Sequence, residues 1–264
     1  MKGRGEPAAV ARVYAVGDIH GRYDLFAQLM RIIGRDQAAR APVATRIVLL
    51  GNIVDHGPQA ARMVRGCMAL TAATDRFRVL KGSGEDMMVE GLRGDLAWYA
   101  DWLDAGGRAT LRSFGADRRV CEGPATAANC RAAAEAVGEE VIGWLAALPL
   151  HDRHGDHLFV HAGIRPGVPI GAQAADDLLY IGDAFLRSNE AGPPTVVHGH
   201  ATDTSGPVFR PGRIGIDTGA WRTERLTALG VEDGEVWTLS TAAPLMAALV
   251  AMQQGGRAAG GIGR

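Results

Sequence analysis

Val13-Tyr14-Ala15-Val16-Gly17-Asp18-Ile19-His20-Gly21 is a short apolar run that ends in glycine and then sets a carboxylate and an imidazole two residues apart. Arg12 to Val16 reads as a buried strand. Beyond it Tyr23, Leu25, Phe26, Leu29, Met30 and Ile33 recur at helical spacing, so the segment is a strand, a turn and a helix. Asp18 and His20 sit in the turn, where a carboxylate and an imidazole together can grip a metal ion.

Two further strands follow in the same style. Arg46 to Leu50 is a second apolar run, Pro58 suits the first turn of the helix after it, and Phe77 to Leu80 is the third strand. A β-α-β-α-β order implies a sheet covered on both faces, with its loops gathered at the strand ends. All three loops carry polar motifs: Gly17 to Gly21, Gly51-Asn52-Ile53-Val54-Asp55-His56-Gly57, and Lys81-Gly82-Ser83-Gly84-Glu85. Residues 95–150 read as an Ala-rich helical insert containing Trp98, Trp102, Leu103, Leu111 and Phe114, broken between Glu122 and Asn129. Strands resume at His157–Val160, Thr195–Val197, Arg213–Ile216, Arg225–Leu229 and Glu235–Leu239, with turns suited to a second, mixed sheet. Two of these strands lead into His161-Ala162-Gly163 and His198-Gly199-His200. The expected organisation is one domain over residues 1–240, followed by a C-terminal helix and Gly-rich tail over 241–264, the helix spanning Thr241 to Met252.

Composition narrows the functional classes. The chain has 264 residues, 47% hydrophobic and 22% charged, enough for one substantial core. A formal charge of −1 gives no global field to recruit nucleic acid or an anionic membrane. No run approaches the roughly 18 apolar residues of a membrane span. Cys67, Cys121 and Cys130 form no Cys-x-x-Cys pair, which points to reduced, buried thiols and a cytoplasmic protein.

The five polar blocks, in this order, resemble the phosphoprotein phosphatase branch of the calcineurin-like metallophosphoesterases, in particular its bacterial serine/threonine phosphatases. That pattern reads GDxHG, GDxVDRG, RGNHE, HAG and GH. Phe159 to Gly167 and Ile216-Asp217-Thr218-Gly219-Ala220 add to the likeness. The resemblance implies an α/β fold, an αββα sandwich of two mixed β-sheets with a helical insert, and a site that hydrolyses phosphate esters with two divalent ions, Mn, Fe or Zn. It implies Asp18 and His20 as ligands of the first metal, His161 and His200 as ligands of the second, and position 52 as the bridge between them.

Several positions depart from the pattern. The bridging carboxylate is replaced by Asn52, a neutral amide that binds a dication poorly. The amide ligand in the third block is replaced by Ser83. The histidine that would protonate the leaving group is replaced by Gly84. The two arginines that would clamp the phosphate are replaced by His56 and Lys81, neither of which offers a planar fork. Two dications facing one certain carboxylate, Asp18, disfavour double occupancy, so one weakly held ion or none is expected. Loss of a general acid typically costs about 10²–10⁴-fold in rate. The expectation is a pseudophosphatase, a binding or regulatory protein for a phosphoprotein or signalling partner, with no nucleic-acid or membrane partner. The alternative is an active phosphoesterase with altered ligands, in which His56 with Asp55 substitutes for the acid, or Glu85 or Asp86 turns inward to a metal. A third possibility is a purely structural subunit that binds neither metal nor phosphate.

Overall fold

The computed structural model describes residues 10–189 and 193–242. The first strand, β1 (Arg12–Val16), is buried along its whole length, and its side chains alternate between two cores. Val13 and Ala15 enter one apolar cluster and Tyr14 and Val16 another, as the two-residue period of a strand requires. A strand with no polar face must be covered on both sides. Helices α1 (Tyr23–Ala38) and α2 (Ala60–Ala73) supply one cover through Leu25, Phe26, Leu29, Ile33, Met63, Val64 and Cys67. The other cover is a second sheet rather than a second layer of helices.

Strand β1 lies parallel to β2 (Thr45–Leu49), which lies parallel to β3 (Phe77–Val79). The third helix, α3 (Ser83–Leu92), starts directly after β3. The polypeptide then builds the second sheet from β4 (His151–His154), β5 (His157–Val160), β6 (Thr195–His198), β7 (Val208–Arg210) and β8 (Arg213–Gly215). It returns to the first sheet with β9 (Thr227–Glu232) and β10 (Glu235–Ser240). Among the described residues the strand orders are β10-β9-β1-β2-β3 and β4-β5-β6-β8-β7. Each sheet therefore has three parallel strands, β1/β2/β3 and β5/β6/β8, finished by antiparallel strands. Val48, Leu50, Leu80, Leu229 and Val231 of the first sheet pack on Phe159, Val197, Ile214 and Ile216 of the second. This is a two-sheet α/β sandwich, the fold expected from the motifs.

Between the sheets in sequence come α4 (Leu96–Trp102), α5 (Arg108–Phe114), α6 (Arg118–Glu122), α7 (Ala127–Val137) and α8 (Glu139–Ala146). Tyr99, Trp102, Leu111, Val120 and Leu145 join the core beneath α1 and α2, so these helices share the main apolar core. A kink at Gly106, with φ 120°, separates α4 from α5. The outer face of the second sheet is covered by α9 (Ala175–Tyr180) and α10 (Asp183–Leu186) through Leu178 and Phe185. A short α11 (Ala220–Thr223) precedes β9.

Two strands were not anticipated, β4 and β7, and the strand expected at Arg225 begins two residues later at Thr227. Arg225 instead leaves the sheet edge, its guanidinium bonding the carbonyls of Thr204 and Ser205. The expected helix over Thr241–Met252 falls almost entirely outside the described residues. All three cysteines are buried thiols, and among the described residues no helix is long and apolar enough to cross a membrane.

Phe159 is wholly buried where the sheets meet. Truncation there leaves a cavity between two sheets that cannot both close on it, so Phe159→Ala should cost about 3–5 kcal/mol in urea denaturation. A loss under about 1 kcal/mol would contradict this packing.

Candidate functional site

Six loops leave the carboxyl ends of the six parallel strands and meet where the sheets come together, the usual place for a site in such folds. Backbone bonds join neighbouring loops within each sheet. The amides of Ile19 and His20 donate to the Asn52 carbonyl, and the Gly199 amide donates to the His161 carbonyl. Five of the seven non-glycine residues with positive φ among the described residues are His20, Asn52, Asp55, His56 and His200. Each holds an unfavourable left-handed conformation, and such strain persists where the surroundings over-determine it.

Asp18, His20, Asn52, His161 and His200 converge here. Asp18 is almost completely buried and accepts at Oδ2 from the Asn52 Nδ2 amide (2.9 Å) and at Oδ1 from the His200 backbone (3.2 Å). The Asn52 Oδ1 in turn accepts from the Gly84 backbone (2.8 Å), with the Ser83 hydroxyl oxygen 3.5 Å away. Since the Gly84 N–H can only donate, the amide orientation is fixed, with its N–H toward Asp18. The His161 Nδ1–H donates to the Leu50 carbonyl (2.8 Å), leaving Nε2 to accept from the Ser83 hydroxyl (3.2 Å). The His20 Nδ1–H donates to the Val54 carbonyl (3.1 Å), which turns Nε2 toward Asp18 Oδ2 across 3.9 Å.

Burial dominates the electrostatics. It raises the Asp18 carboxyl well above the ordinary range, with Asp217 adding to the shift. It pushes His20 down to about 3 and His161 well below its usual value, both further lowered by neighbouring imidazoles. The retained histidines are therefore neutral.

Glu85 decides the shape of the second loop. Its wholly buried carboxylate accepts from the backbone amides of Gly82, Asn52, Ile53 and Val54. It is fully engaged and cannot turn to a metal. Asp86 faces away, accepting from the Tyr180 hydroxyl (2.9 Å) and pairing with Lys81 (3.7 Å). These contacts correct the expectation that either acid could serve as a replacement ligand. They also tie the Lys81 ammonium to a carboxylate where a phosphate clamp was expected.

The expected pairing of His56 with Asp55 is not formed. Asp55 Oδ1 accepts from Trp102 Nε1 and Thr110 Oγ1, both at 2.9 Å. His56 instead stacks on Trp221 (4.2 Å between centroids) and meets His20 edge-on. Nor has the missing histidine left a gap: a Cβ built on Gly84 would lie 2.7 Å from Asp55 Oδ2 and 3.0 Å from Asn52 Oδ1. The site has closed around glycine.

Residues that the motifs did not reveal complete the arrangement. Trp102 and Thr110 come from the inserted helices and carried no motif signal. Asp217, buried behind Asp18 and His200, accepts from the Thr202 hydroxyl and the Gly219 amide (2.9 Å). Its signal was present in the Ile216 to Ala220 phrase. His198 is buried two residues before His200, its ring edge-on to Phe185 and near Arg213.

Metal binding can be judged from the donors. Among the described residues no three His, Cys, Asp or Glu side chains group as a metal site. Both Asp18 oxygens and His161 Nε2 already accept protein hydrogen bonds, and Asn52 presents a proton, not a lone pair, to Asp18. A Cβ on Gly199 would come within 2.0 Å of Asp18 Oδ1, so the loop after β6 is packed directly against that carboxylate. These residues do not fit a two-ion centre, which corrects the reading of Asp18, His20, Asn52, His161 and His200 as an open ligand set.

The calcineurin-like phosphoesterase profile matches residues 11–218. The chain belongs to that family. Curated relatives include a symmetrical bis(5'-nucleosyl)-tetraphosphatase from Acidovorax sp. (strain JS42), 29% identical over 74% of this chain and 59% of that protein. An asymmetrical bis(5'-nucleosyl)-tetraphosphatase, PrpE, from Bacillus velezensis (strain DSM 23117 / BGSC 10A6 / LMG 26770 / FZB42) is 23% identical over 87% of this chain and 92% of its own. The chain spans only about half of the symmetrical relatives it matches, 45% and 59% of two of them. A solved structure provisionally called a diadenosine tetraphosphatase superposes with a TM-score of 0.63 at 21% identity, covering 90% of this chain and 97% of that one. These relatives carry names from the dinucleoside polyphosphate side of the family, whereas the motifs resembled the serine/threonine phosphatases.

Two outcomes test this site. Glu85→Ala strands four buried amides and should destabilise the protein by at least about 3 kcal/mol, read by urea denaturation; a neutral substitution would show that the loop is held otherwise. His198 is pushed down to about 4, chiefly by burial. Its folded value lies below the unfolded value of about 6.5, so its contribution is present above that pH and is lost as pH falls toward 4. The stability difference between the wild type and His198→Gln should therefore narrow from about pH 7 to pH 5. An unchanged gap would contradict a neutral, buried His198.

Proposed function

We propose that this protein is a non-catalytic member of the calcineurin-like phosphoesterases, a pseudophosphatase that binds a phosphorylated or signalling partner and does not turn over phosphate esters. The observation that carries the reading is the closure around Gly84. A general acid must lie within hydrogen-bond reach of the leaving oxygen. Here the family's acid position has no side chain, the Asp55 and Asn52 side chains crowd the place its Cβ would take, and Asp55 Oδ1 is committed to Trp102 and Thr110. His56 is stacked against Trp221 and lowered by burial and Arg222, which leaves it a neutral ring at the mouth without an orienting carboxylate.

Nucleophile activation is weakened on the same grounds. Polarising a water for attack on phosphorus needs concentrated positive charge held by carboxylates. Asn52 and Ser83 are neutral, which leaves Asp18 beside His20, and Asp217 behind it near His200, as the carboxylates close to the retained imidazoles. The relatives' names favour a second reading, hydrolysis of dinucleoside polyphosphates with a relocated centre, since Asp18, His20, His161 and His200 are all retained.

Purified protein incubated with Mn²⁺ and either an aryl phosphate or diadenosine tetraphosphate separates the two. Product formation should be indistinguishable from that of Asp18→Ala on both substrates. Turnover abolished by Asp18→Ala would replace the non-catalytic reading with the hydrolytic one.

A further inference from the structure

We infer that the centre has become a metal-free lock, in which Asn52 and Ser83 donate protons where the family places cations, so that the junction of the two sheets no longer depends on divalent ions. This deepens the non-catalytic reading and rests on the same site.

Two buried groups that attract positive charge, Asp18 and the His161 Nε2 lone pair, need partners when they are removed from water. Asn52 Nδ2–H meets Asp18 at 2.9 Å and the Ser83 hydroxyl meets His161 at 3.2 Å. Asn52 Oδ1 accepts from the Gly84 amide, and the Ser83 hydroxyl, its one proton given to His161, lies 3.5 Å from the same oxygen. Asn52 thus connects the loop after β2 to the loop after β1 and to the start of α3, while Ser83 connects α3 to the loop after β5. The His200 amide adds the loop after β6 through Asp18 Oδ1. Every member has a complementary partner, which is the condition under which a buried polar network stabilises a unique arrangement.

Asn52 is what decides the matter. An aspartate in its place would set a second anionic oxygen about 2.9 Å from Asp18 Oδ2, tolerable only with a proton or a cation between them. As the chain stands, His20 Nε2 and Asp18 Oδ2, 3.9 Å apart, offer a two-point hold, and Asp18 is already accepting two bonds. Zinc takes four ligands and magnesium or manganese prefers six.

Thermal unfolding of the full chain, with EDTA or with Mn²⁺, tests the lock. The wild-type Tm should be the same in both, and metal analysis should find no stoichiometric Mn, Fe or Zn. Asn52→Asp should lose several degrees in EDTA and recover them on addition of Mn²⁺. A wild-type Tm that drops in EDTA, or an equivalent of bound metal lost in Asp18→Ala, would overturn the inference. So would an Asn52→Asp protein that folds as stably as the wild type in EDTA. Should that variant not fold in either condition, calorimetric titration of the wild type with Mn²⁺ decides: saturable binding lost in Asp18→Ala overturns the lock, and its lack supports it. The outcomes separate from those of the activity assay. An inactive protein that carries metal would sink the lock alone, while a metal-free protein with turnover sensitive to Asp18→Ala would sink the non-catalytic reading alone.

Discussion

The hydrogen bond from the Asn52 amide to the buried Asp18 carboxylate is the contact on which the centre is organised. Asp18 follows β1, a strand buried along its whole length, at the junction of two sheets whose parallel strands all end at one place. A buried carboxylate there must be compensated, and in a metallophosphoesterase the compensation is a cation. In this chain a neutral side chain does it, fixed in orientation by the Gly84 amide. The remaining arrangement follows: Ser83 takes the His161 lone pair, Glu85 holds the loop that carries Asn52, and Asp55 turns to Trp102 and Thr110.

The substitutions are coupled rather than independent. With a histidine at position 84, Asp55 and Asn52 could not stand where they do, because both side chains crowd the place its Cβ would need. With aspartate at position 52, the Gly84 donor would still be satisfied, but the bond to Asp18 would become a repulsion. Restoring single family residues therefore meets a pocket that has already repacked. For the same reason, simultaneous reversion of positions 52, 83 and 84 leaves the crowding by Asp55 to be relieved separately.

Much of this was legible in the sequence because parallel strands buried on both faces are continuous apolar runs, which here stop at a glycine or a histidine. Arg12–Val16, Arg46–Leu50, His157–Val160 and Thr195–Val197 could be read that way, and the polar loops after them with it. Strand β4, His-Asp-Arg-His, and the exposed three-residue β7 carry no apolar run and pair only at sheet edges, so nothing local marks them. The second sheet that covers β1 was anticipated from the motif resemblance and not from short-range order, which shows β-α-β but not which distant segment packs against it. At the site, residue identities showed what was missing, yet not that the gap had closed. That depended on Trp102 and Thr110, delivered by helices about 50 residues away in sequence, and on Asp55 Oδ2 lying beside Gly84. A reading by position treats Gly84 as an empty place, whereas packing fills it.

Diffraction from crystals soaked in Mn²⁺, recorded with anomalous signal, examines the central contact most directly. The account predicts Asn52 Nδ2 bonded to Asp18 and Ser83 facing His161, with no anomalous peak between the two sheets. Two peaks flanked by Asp18, His20, His161 and His200, with the Asn52 amide turned to present its oxygen, would contradict it.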